Sequence, residues 1–554
     1  MLWLQTLSRY WQTLRHLRPV QIYGRAWFHL ARPKPDLASA PQTRQFSGLW
    51  VQPAARKASI TGPDSFIFLG EPGSLRVNGW DDPSKAKLWR YNQHYFDDLN
   101  AEDSYTRRHW QRELISRWIT SNPPGIGSGW EPYPTSQRVV NWIKFDLSGG
   151  VLDFTARHSL AVQARWLTKR LERHLLGNHL LSNAKALLFA GLYFDGAEAN
   201  HWRKIAVSIL QRELSEQILP DGGHFELTPM YHALVLEDLA DIVNVMTAFE
   251  IALNQSEKQL AATCTDHLPQ MLRWLDAMTH PDDHISFFND ATFGVAPENY
   301  QLRDYVTRLG IDKKAEQATG LLHLSDSGFA RMTRNEAVVL CDIGQIGPDY
   351  LPGHAHADTL SFELSLMGDR VIVNSGISEY GLSSERFRQR GTAAHSTVVV
   401  AEVDSSEVWS GFRVGRRARV DAIEIVETSD SLIVGARHDG YTWLPKGPYH
   451  SRQWTLTDNG LKIFDSLDPP TQGEARFHFP PDVSAEVNLS ASIIDEFSKG
   501  YVRLVSGKKI RWWAHGATVR IDTTTWHPRF GESKPCSCLA LTFTGTCELR
   551  LVWS

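Results

Sequence analysis

Three short segments of this chain carry side chains that could transfer protons and hold an anion. The first contains Asn178 and His179, the second contains Tyr231, and the third contains His354 followed by His356. Amide and imidazole groups hold an anionic group by hydrogen bonds, whereas a phenol and an imidazole can give and take protons. The three segments together therefore predict acid–base chemistry on an anionic substrate.

The first two segments also have simpler explanations. If Asn178 and His179 lie on a helix, they neighbour Ser182 and Asn183 one turn later, and the four side chains could merely satisfy a helix end. Tyr231 follows a Gly-rich loop and should stand at a helix start. A phenol is a poor base near neutral pH unless cationic or hydrogen-bonding neighbours favour the phenolate. The adjacent histidine could help, or the pair could simply be amphipathic surface residues.

The third segment alternates in a way that predicts a strand. Alternation places His354, His356 and Asp358 on one strand face. A His-x-His pair on a strand can bind a metal ion, with His395 as a third ligand. The alternative is a set of histidines that are hydrogen-bonded between two domains.

Other side chains could line a sugar-binding cleft or simply pack in the core. Aromatic faces with polar tips suit both uses, and the arginines Arg386, Arg388 and Arg390 could bind a carboxylate in bidentate fashion or remain solvated. The predicted substrate-binding residues are His232, Gln93, His94, Trp130, Glu226 and Arg390.

Composition limits the class of protein. A chain of 554 residues predicts at least two domains. The net charge of −4 and the pI near 6.6 give no general attraction for nucleic acid. The five cysteines lack paired Cys-x-x-Cys spacing, which favours reduced thiols over disulfides or a zinc ribbon. No Gly-rich phosphate loop follows a strand, so no nucleotide, flavin or nicotinamide cofactor is expected.

The elements that must position these side chains change character along the chain. Residues 1–60 form a basic arm and linker, residues 61–320 follow a mostly helical pattern, and residues 321–554 alternate as an antiparallel β-domain does. The predicted fold class is therefore a multidomain α+β protein.

The N-terminal arm begins with a predicted amphipathic helix. Leu4, Leu7, Trp11 and Leu14 recur at helical spacing, and the region from Arg9 to Lys57 holds nine Lys or Arg and one acid. The arm could pack on the main domain, or it could touch a membrane surface or an anionic glycan. Its start does not resemble a secretory signal. The expected location is therefore cytoplasmic or membrane-peripheral, with periplasmic as the alternative.

Across six blocks in order, the chain resembles the heparinase II/III-like family of polysaccharide lyases and the related alginate lyases. The resemblance implies an N-terminal incomplete (α/α) toroid and a C-terminal antiparallel β-sandwich with the cleft between them. The matching blocks are Trp89 to Asp98, Trp130 to Phe145, Gly177 to Leu187, Asp221 to His232, His354 to Phe362 and Arg390 to Val398.

The resemblance also implies a β-elimination in an anionic polysaccharide that contains uronic acid. Asn178 and His179 match the pair that neutralises the uronate carboxylate, so that charge can develop on it when C5 loses its proton. Tyr231 matches the tyrosine that protonates the leaving C4 oxygen and, for one epimer, also takes the C5 proton. His354 matches the opposing base or a further carboxylate partner.

Some family members bind a structural zinc, which here would fall to His356, His395 and Asn374. An amide is a much poorer zinc ligand than the aspartate common at that position. Two other functions stay open: a non-catalytic glycan-binding or assembly factor, and a glycoside hydrolase that uses Glu226 with Asp358. The resemblance suggests a setting in bacterial capsule or exopolysaccharide metabolism. The oligomeric state stays open.

Overall fold

A computed structural model describes residues 2–46, 48–311, 319–487 and 497–553. Its elements fall into a helical half and a sheet half. The large helices end at Arg308, and the first strand of the sheet half begins at Gly320.

The helices are α1 (Leu2–Leu14), α2 (Pro19–Leu30), α3 (Leu75–Asn78), α4 (Lys87–Tyr95), α5 (Arg108–Ser121), α6 (Pro132–Leu147), α7 (Phe154–Lys169), α8 (Gly177–Tyr193), α9 (Ala197–Gln217), α10 (Pro229–Ala248), α11 (Gln255–Ala277), α12 (Asn299–Arg308) and α13 (Ser384–Arg390). The strands are β1 (Ile60–Gly62), β2 (Ser65–Phe68), β3 (Glu71–Ser74), β4 (Gly320–Leu324), β5 (Phe329–Arg334), β6 (Ala337–Asp342), β7 (Phe362–Leu366), β8 (Asp369–Ile372), β9 (Val398–Val400), β10 (Val408–Trp409), β11 (Arg413–Val414), β12 (Val420–Glu427), β13 (Leu432–His438), β14 (Tyr449–Thr457), β15 (Gly460–Asp468), β16 (Gln472–His478), β17 (Ser484–Val487), β18 (Phe497–Arg503), β19 (Lys509–Trp526) and β20 (Lys534–Val552).

The helices from α4 to α12 form the toroid that the resemblance implied. They share one apolar core, in which most of the tryptophans are fully buried. Several helices begin where the sequence provides a start signal: Pro132 and Pro229 occupy first turns, and the Asn254 side chain caps α11. Tryptophans here serve mainly as core, because each buries a large apolar surface.

The sheet half is an antiparallel sandwich. Strands β4 to β8 form one sheet in chain order, and a larger sheet runs β12-β13-β14-β15-β20-β19-β18-β17, with β16 paired to β20 and β9 paired to β16. Met332 and Phe362 of the first sheet share a core with Trp454, Ile463 and Leu541 of the second. The toroid and the β-sandwich are thus both confirmed.

The N-terminal arm differs from its prediction in one respect. Helix α1 is present as expected, but α2 was missed, because the sequence pattern was interrupted after Leu14 and prolines follow at Pro33 and Pro35. Among the described residues, no helix is long and apolar enough to cross a bilayer. All five cysteines are buried and unpaired, as predicted.

Candidate active site

Asn178 and His179 stand in the first turn of α8. The helix begins at Gly177, which has a positive φ of 54°. A side chain there would also collide with Glu226 Oε1, at 2.8 Å, and with Leu351. Glycine is therefore required for Glu226 to approach the helix start. The N-terminal turn of a long helix favours an anion, so an amide and an imidazole here suit a carboxylate.

His179 is held by an acidic partner. Its Nδ1 atom lies 3.2 Å from Glu172 Oε1, and its side chain stays 34% exposed. Glu172 in turn accepts a hydrogen bond from Asn183 Nδ2 at 3.1 Å, so Asn183 supports the site indirectly. Burial by itself lowers the pKa of His179, but Glu172 and, more weakly, Glu226 outweigh it and raise the pKa. His179 therefore keeps its positive charge to a higher pH than an ordinary histidine.

Replacing Glu172 with Gln should shift the pH dependence of turnover. The substitution removes the charge that raises the pKa of His179. Cationic His179 would then be lost at lower pH, and the alkaline limb of the kcat/KM profile should move to lower pH. We expect roughly a three- to ten-fold lower kcat/KM at mildly alkaline pH.

The matched control is Glu298→Gln. Glu298 contacts a different histidine, His284, at 3.2 Å on the protein surface, so its loss should leave the pH profile unchanged. An alkaline limb that stays in place in Glu172→Gln would mean that His179 works as a neutral hydrogen-bond donor.

Tyr231 stands at the start of α10, as predicted. The Thr228 side chain caps the helix by accepting from the Tyr231 N–H at 3.2 Å. The phenol oxygen of Tyr231 lies 3.0 Å from that of Tyr380. Burial, together with Tyr380 and Asp290, raises the pKa of Tyr231 well above its ordinary value. Burial and these neighbours thus outweigh any stabilisation of the phenolate, and Tyr231 rests as a neutral proton donor.

His354 stacks on Tyr231, with ring centroids 3.9 Å apart. Its Nδ1 atom lies 2.8 Å from Asp290 Oδ2. The predicted strand over this segment is wrong: residues 352–361 are irregular and β7 begins only at Phe362. The irregular course nevertheless turns both His354 and His356 toward Asp290.

Asp290 organises this part of the site. Its carboxylate accepts a hydrogen bond from His356 Nε2 at 2.8 Å and forms a bidentate ion pair with Arg386, whose Nη2 atom lies 2.8 Å from Asp290 Oδ2. Burial alone would raise the pKa of Asp290, but Arg386, His354 and His356 hold it well below the ordinary value. An ionised Asp290 only accepts hydrogen bonds, so His354 carries its proton on Nδ1. The Nε2 atom of His354 then carries the lone pair of the ring.

Glu226 lies between the two halves of the site. Its Oε2 atom is 3.5 Å from His354 Nε2, and the Asn178 N–H faces it. Within the described residues, no protein group makes a hydrogen bond of ordinary geometry with either carboxyl oxygen. Burial raises the pKa of Glu226 more than His354 and Asn178 lower it. Glu226 therefore keeps a proton to a higher pH than an ordinary glutamate.

Three predicted substrate-binding residues lie in the toroid core instead of the cleft. Trp130 is 3% exposed and packs against other tryptophans. His94 is fully buried and accepts from Trp118 Nε1 at 3.0 Å, and burial followed by Arg138 lowers its pKa to about 3. Gln93 donates to the Gly79 carbonyl at 2.8 Å. The prediction that these three residues contact a polymer is therefore wrong.

His232 and Arg390 are also engaged inside the protein. The His232 ring is fully buried and bonds through both nitrogens to the backbone, at His224 and Met271. Arg390 is fully buried and donates to the Ala355 carbonyl at 2.9 Å. These two residues support the loops of the site and do not face a substrate. Of the neighbouring arginines, Arg386 binds Asp290, and Arg388 binds Glu385 and the Thr525 and His527 side chains.

The predicted zinc ligands do not fit a metal site as they are arranged. His356 Nδ1 lies 3.2 Å from His395 Nε2, while His356 Nε2 is committed to Asp290. The Asn374 amide accepts from the Ser396 N–H at 3.0 Å and donates to Ser361. Across the described parts of the chain, no group of three or more His, Cys, Asp or Glu could hold a metal ion. The His356 ring and the Asn374 amide are thus taken up by hydrogen bonds within the protein, whereas the buried Nδ1 atom of His395 makes none of ordinary geometry with the described residues.

Sequence reasoning missed three residues of this site. Asp290 follows two buried aromatic residues and Asn289, and a polar pair after an apolar run is a weak signal. Glu172 and Tyr380 carry no local signal, because nothing in the sequence around them indicates that they contact His179 and Tyr231. Only the folded arrangement brings them together.

These features define a class: a protein with a helical toroid, a β-sandwich and a set of acid–base side chains that both halves contribute. Two family models match the chain, "Heparinase II/III N-terminus" over residues 94–308 and "Heparinase II/III-like, C-terminal" over residues 316–554. The chain therefore belongs to the heparinase II/III-like family.

Curated relatives and solved structures agree with this assignment. The chain is similar to a heparin-sulfate lyase of Pedobacter heparinus, at 26% identity over 54% of this chain and 49% of the relative. A heparin-sulfate lyase of Bacteroides stercoris is 26% identical over 40% of this chain and 35% of the relative. The chain thus spans about half or less of the length of these relatives.

Solved structures extend the likeness in fold over most of the chain. A heparinase III structure has a TM-score of 0.68 at 16% identity and covers 87% of this chain and 80% of its own. A heparan sulfate lyase from Pedobacter heparinus has a TM-score of 0.58 at 17% identity and covers 96% of this chain and 87% of its own. At such low identity, the likeness establishes the fold.

Proposed function

We propose that this protein is a polysaccharide lyase that cleaves a uronic-acid-containing anionic polysaccharide by β-elimination. One observation carries the proposal: the Tyr231 phenol and the His354 imidazole stack on each other, and Asp290 fixes the imidazole through its Nδ1 atom. Such a pair supplies both a proton donor and a proton acceptor. The names of the relatives, which are heparin-sulfate lyases, support a substrate of the glycosaminoglycan type.

The first requirement of the reaction is to make the C5 proton acidic. The uronate carboxylate would bind at the start of α8, where Asn178 and cationic His179 donate to it. These contacts neutralise the charge that develops on the carboxylate as C5 loses its proton. Fixed donors of this kind are commonly the largest contribution to catalysis.

The proton transfers then follow from the resting states of the two rings. His354 Nε2 takes the C5 proton, and its new charge is stabilised by ionised Asp290. The electron pair of the C5–H bond forms the C4–C5 double bond, the C4–O bond breaks, and Tyr231 donates its proton to the leaving oxygen. His354 later returns a proton through water to the Tyr231 phenolate, so the enzyme ends in its starting state.

The direct test is ultraviolet absorbance over time with heparan sulfate, alginate, hyaluronan and bacterial capsular polymers. The double bond conjugated to the carboxylate absorbs, so we expect absorbance to rise with at least one polymer, in step with new reducing ends. New reducing ends without absorbance would instead indicate hydrolysis. Binding without either signal would favour the glycan-binding factor.

The structure weakens the hydrolase alternative. Its second carboxylate, Asp358, is 1% exposed and accepts from the Asn289 backbone N–H at 2.9 Å. It therefore does not face Glu226 across a sugar-sized opening as a hydrolase pair must.

We propose further that the enzyme works at the periphery of a membrane, in the production or turnover of a bacterial capsule or exopolysaccharide. The basic N-terminal arm supports this location. A purely cytoplasmic or a periplasmic location is the alternative, and cell fractionation followed by immunodetection tests it.

A further inference from the structure

The two helices of the N-terminal arm rest on different domains. In α1, Thr13 Oγ1 accepts from Trp409 Nε1 of the β-sandwich at 3.1 Å. In α2, the Phe28 ring packs on His174 of the toroid, with centroids 4.5 Å apart. These contacts use the inner faces of the helices and leave the outer faces in solvent.

The outer face of α2 is apolar. Its large side chains project outward: Ile22 is 61% exposed, Tyr23 64%, Trp27 71% and Leu30 78%. Their spacing places all four on one side of the helix, opposite buried Gln21 and half-buried Phe28. We name these four residues the α2 ridge. Single exposed apolar residues are ordinary, but a contiguous set marks an interaction site.

The charges that the N-terminal arm itself carries up to Lys34 are all positive, and the acid that reaches the start of α2, Glu216, is paired with Arg18. No Asp or Glu occurs in the first 35 residues. Arg25, Arg32 and Lys34 are exposed near the ridge, and Arg173 is exposed beside His174. An apolar surface flanked by cations is complementary to a partner that has an anionic surface and an apolar interior.

We infer that the α2 ridge binds the surface of an anionic lipid bilayer. Most of the surface of each ridge side chain is exposed. Such side chains can insert among lipid headgroups, which rearrange around them. Tyr and Trp flanked by arginine are the residues that favour the headgroup region. Helix α1 repeats the pattern with exposed Leu7, Trp11 and Leu14. The inference deepens the proposed membrane-peripheral location and does not depend on the lyase reaction.

The test is flotation of the full-length protein with vesicles on a density gradient. One vesicle type contains phosphatidylcholine with about one-third phosphatidylglycerol, and the other contains phosphatidylcholine alone. The wild type should float with the anionic vesicles at least about ten-fold more than with the neutral ones, and added salt should weaken the binding.

Two double variants test the contact, and a third serves as the control. Trp27→Ser with Leu30→Ser removes apolar ridge atoms, and Arg25→Glu with Arg32→Glu reverses the flanking charge. Each should lower flotation about ten-fold or more without changing turnover of a soluble substrate. The matched control is Val77→Ser with Ile251→Ser, two apolar residues that are 82% and 84% exposed elsewhere, and it should float like the wild type.

Three results would overturn the inference. The first is a wild type that floats with neither vesicle type, and the second is a ridge variant that floats as well as the wild type. The third is a wild-type dimer, seen by light scattering, that the Trp27→Ser, Leu30→Ser variant disperses. That result would assign the ridge to a second copy of this chain.

Discussion

Replacing Tyr231 with Phe should lower kcat by about 10²–10⁴-fold while KM stays within a few-fold of the wild-type value. The leaving C4 oxygen needs a proton as the C4–O bond breaks, and the neutral Tyr231 phenol provides it. The substitution removes only the hydroxyl, so the ring still stacks on His354. The hydroxyl's bond with Tyr380 is worth about 1 kcal/mol, and the fold should survive its loss.

The measurement is the initial rate of ultraviolet absorbance on whichever polymer the wild type cleaves, with the melting temperature recorded alongside. Tyr305→Phe is the matched control: its hydroxyl is buried and bonds Asp241 and Asn244, away from the cleft residues. It should lose stability but keep its kcat. A Tyr231→Phe enzyme with wild-type kcat would rule out this tyrosine as the acid.

Sequence patterns predicted the parts of the molecule that depend on local order. The apolar spacing of α7 and α10, the Pro229 start and the change to alternation near β4 are all local signals. They placed Asn178 and His179 on a helix and Tyr231 at a helix start, and the structure has them there, with Asn178 and His179 in the first turn of α8. Local periodicity is informative here because each helix buries a continuous apolar face.

The remaining parts depend on contacts between distant segments. Trp130 and His94 have the composition of a sugar subsite, but their depth in the toroid comes from packing among α4, α5 and α6. The segment from His354 alternates like a strand, yet its hydrogen bonds go to Asn289 and Asp290 instead of a neighbouring strand. Asp290 itself acquires its role only when Arg386 and both imidazoles meet it. No window of sequence contains that information.

Asp290→Asn should lower kcat by about 10²–10⁴-fold with little change in KM. The amide can donate as well as accept, so it no longer forces the His354 proton onto Nδ1, and it cannot stabilise the imidazolium that forms after C5 is deprotonated. We therefore expect Asp290 to act as a positioning residue through His354. Asn also leaves the fully buried Arg386 without a counter-charge, which should cost about 3–5 kcal/mol of stability.

Because lost stability alone could reduce activity, the decisive comparison is with Asp465→Asn. Asp465 is equally buried in the β-sandwich, where it pairs in bidentate fashion with Arg452 and accepts from His450 at 2.8 Å. The two variants remove the same kind of buried network, so their melting temperatures should fall by similar amounts. If kcat, measured well below both melting temperatures, falls only in Asp290→Asn, the carboxylate acts on the chemistry through His354. Equal kcat values in the two variants would mean that Asp290 serves only to hold the domains together.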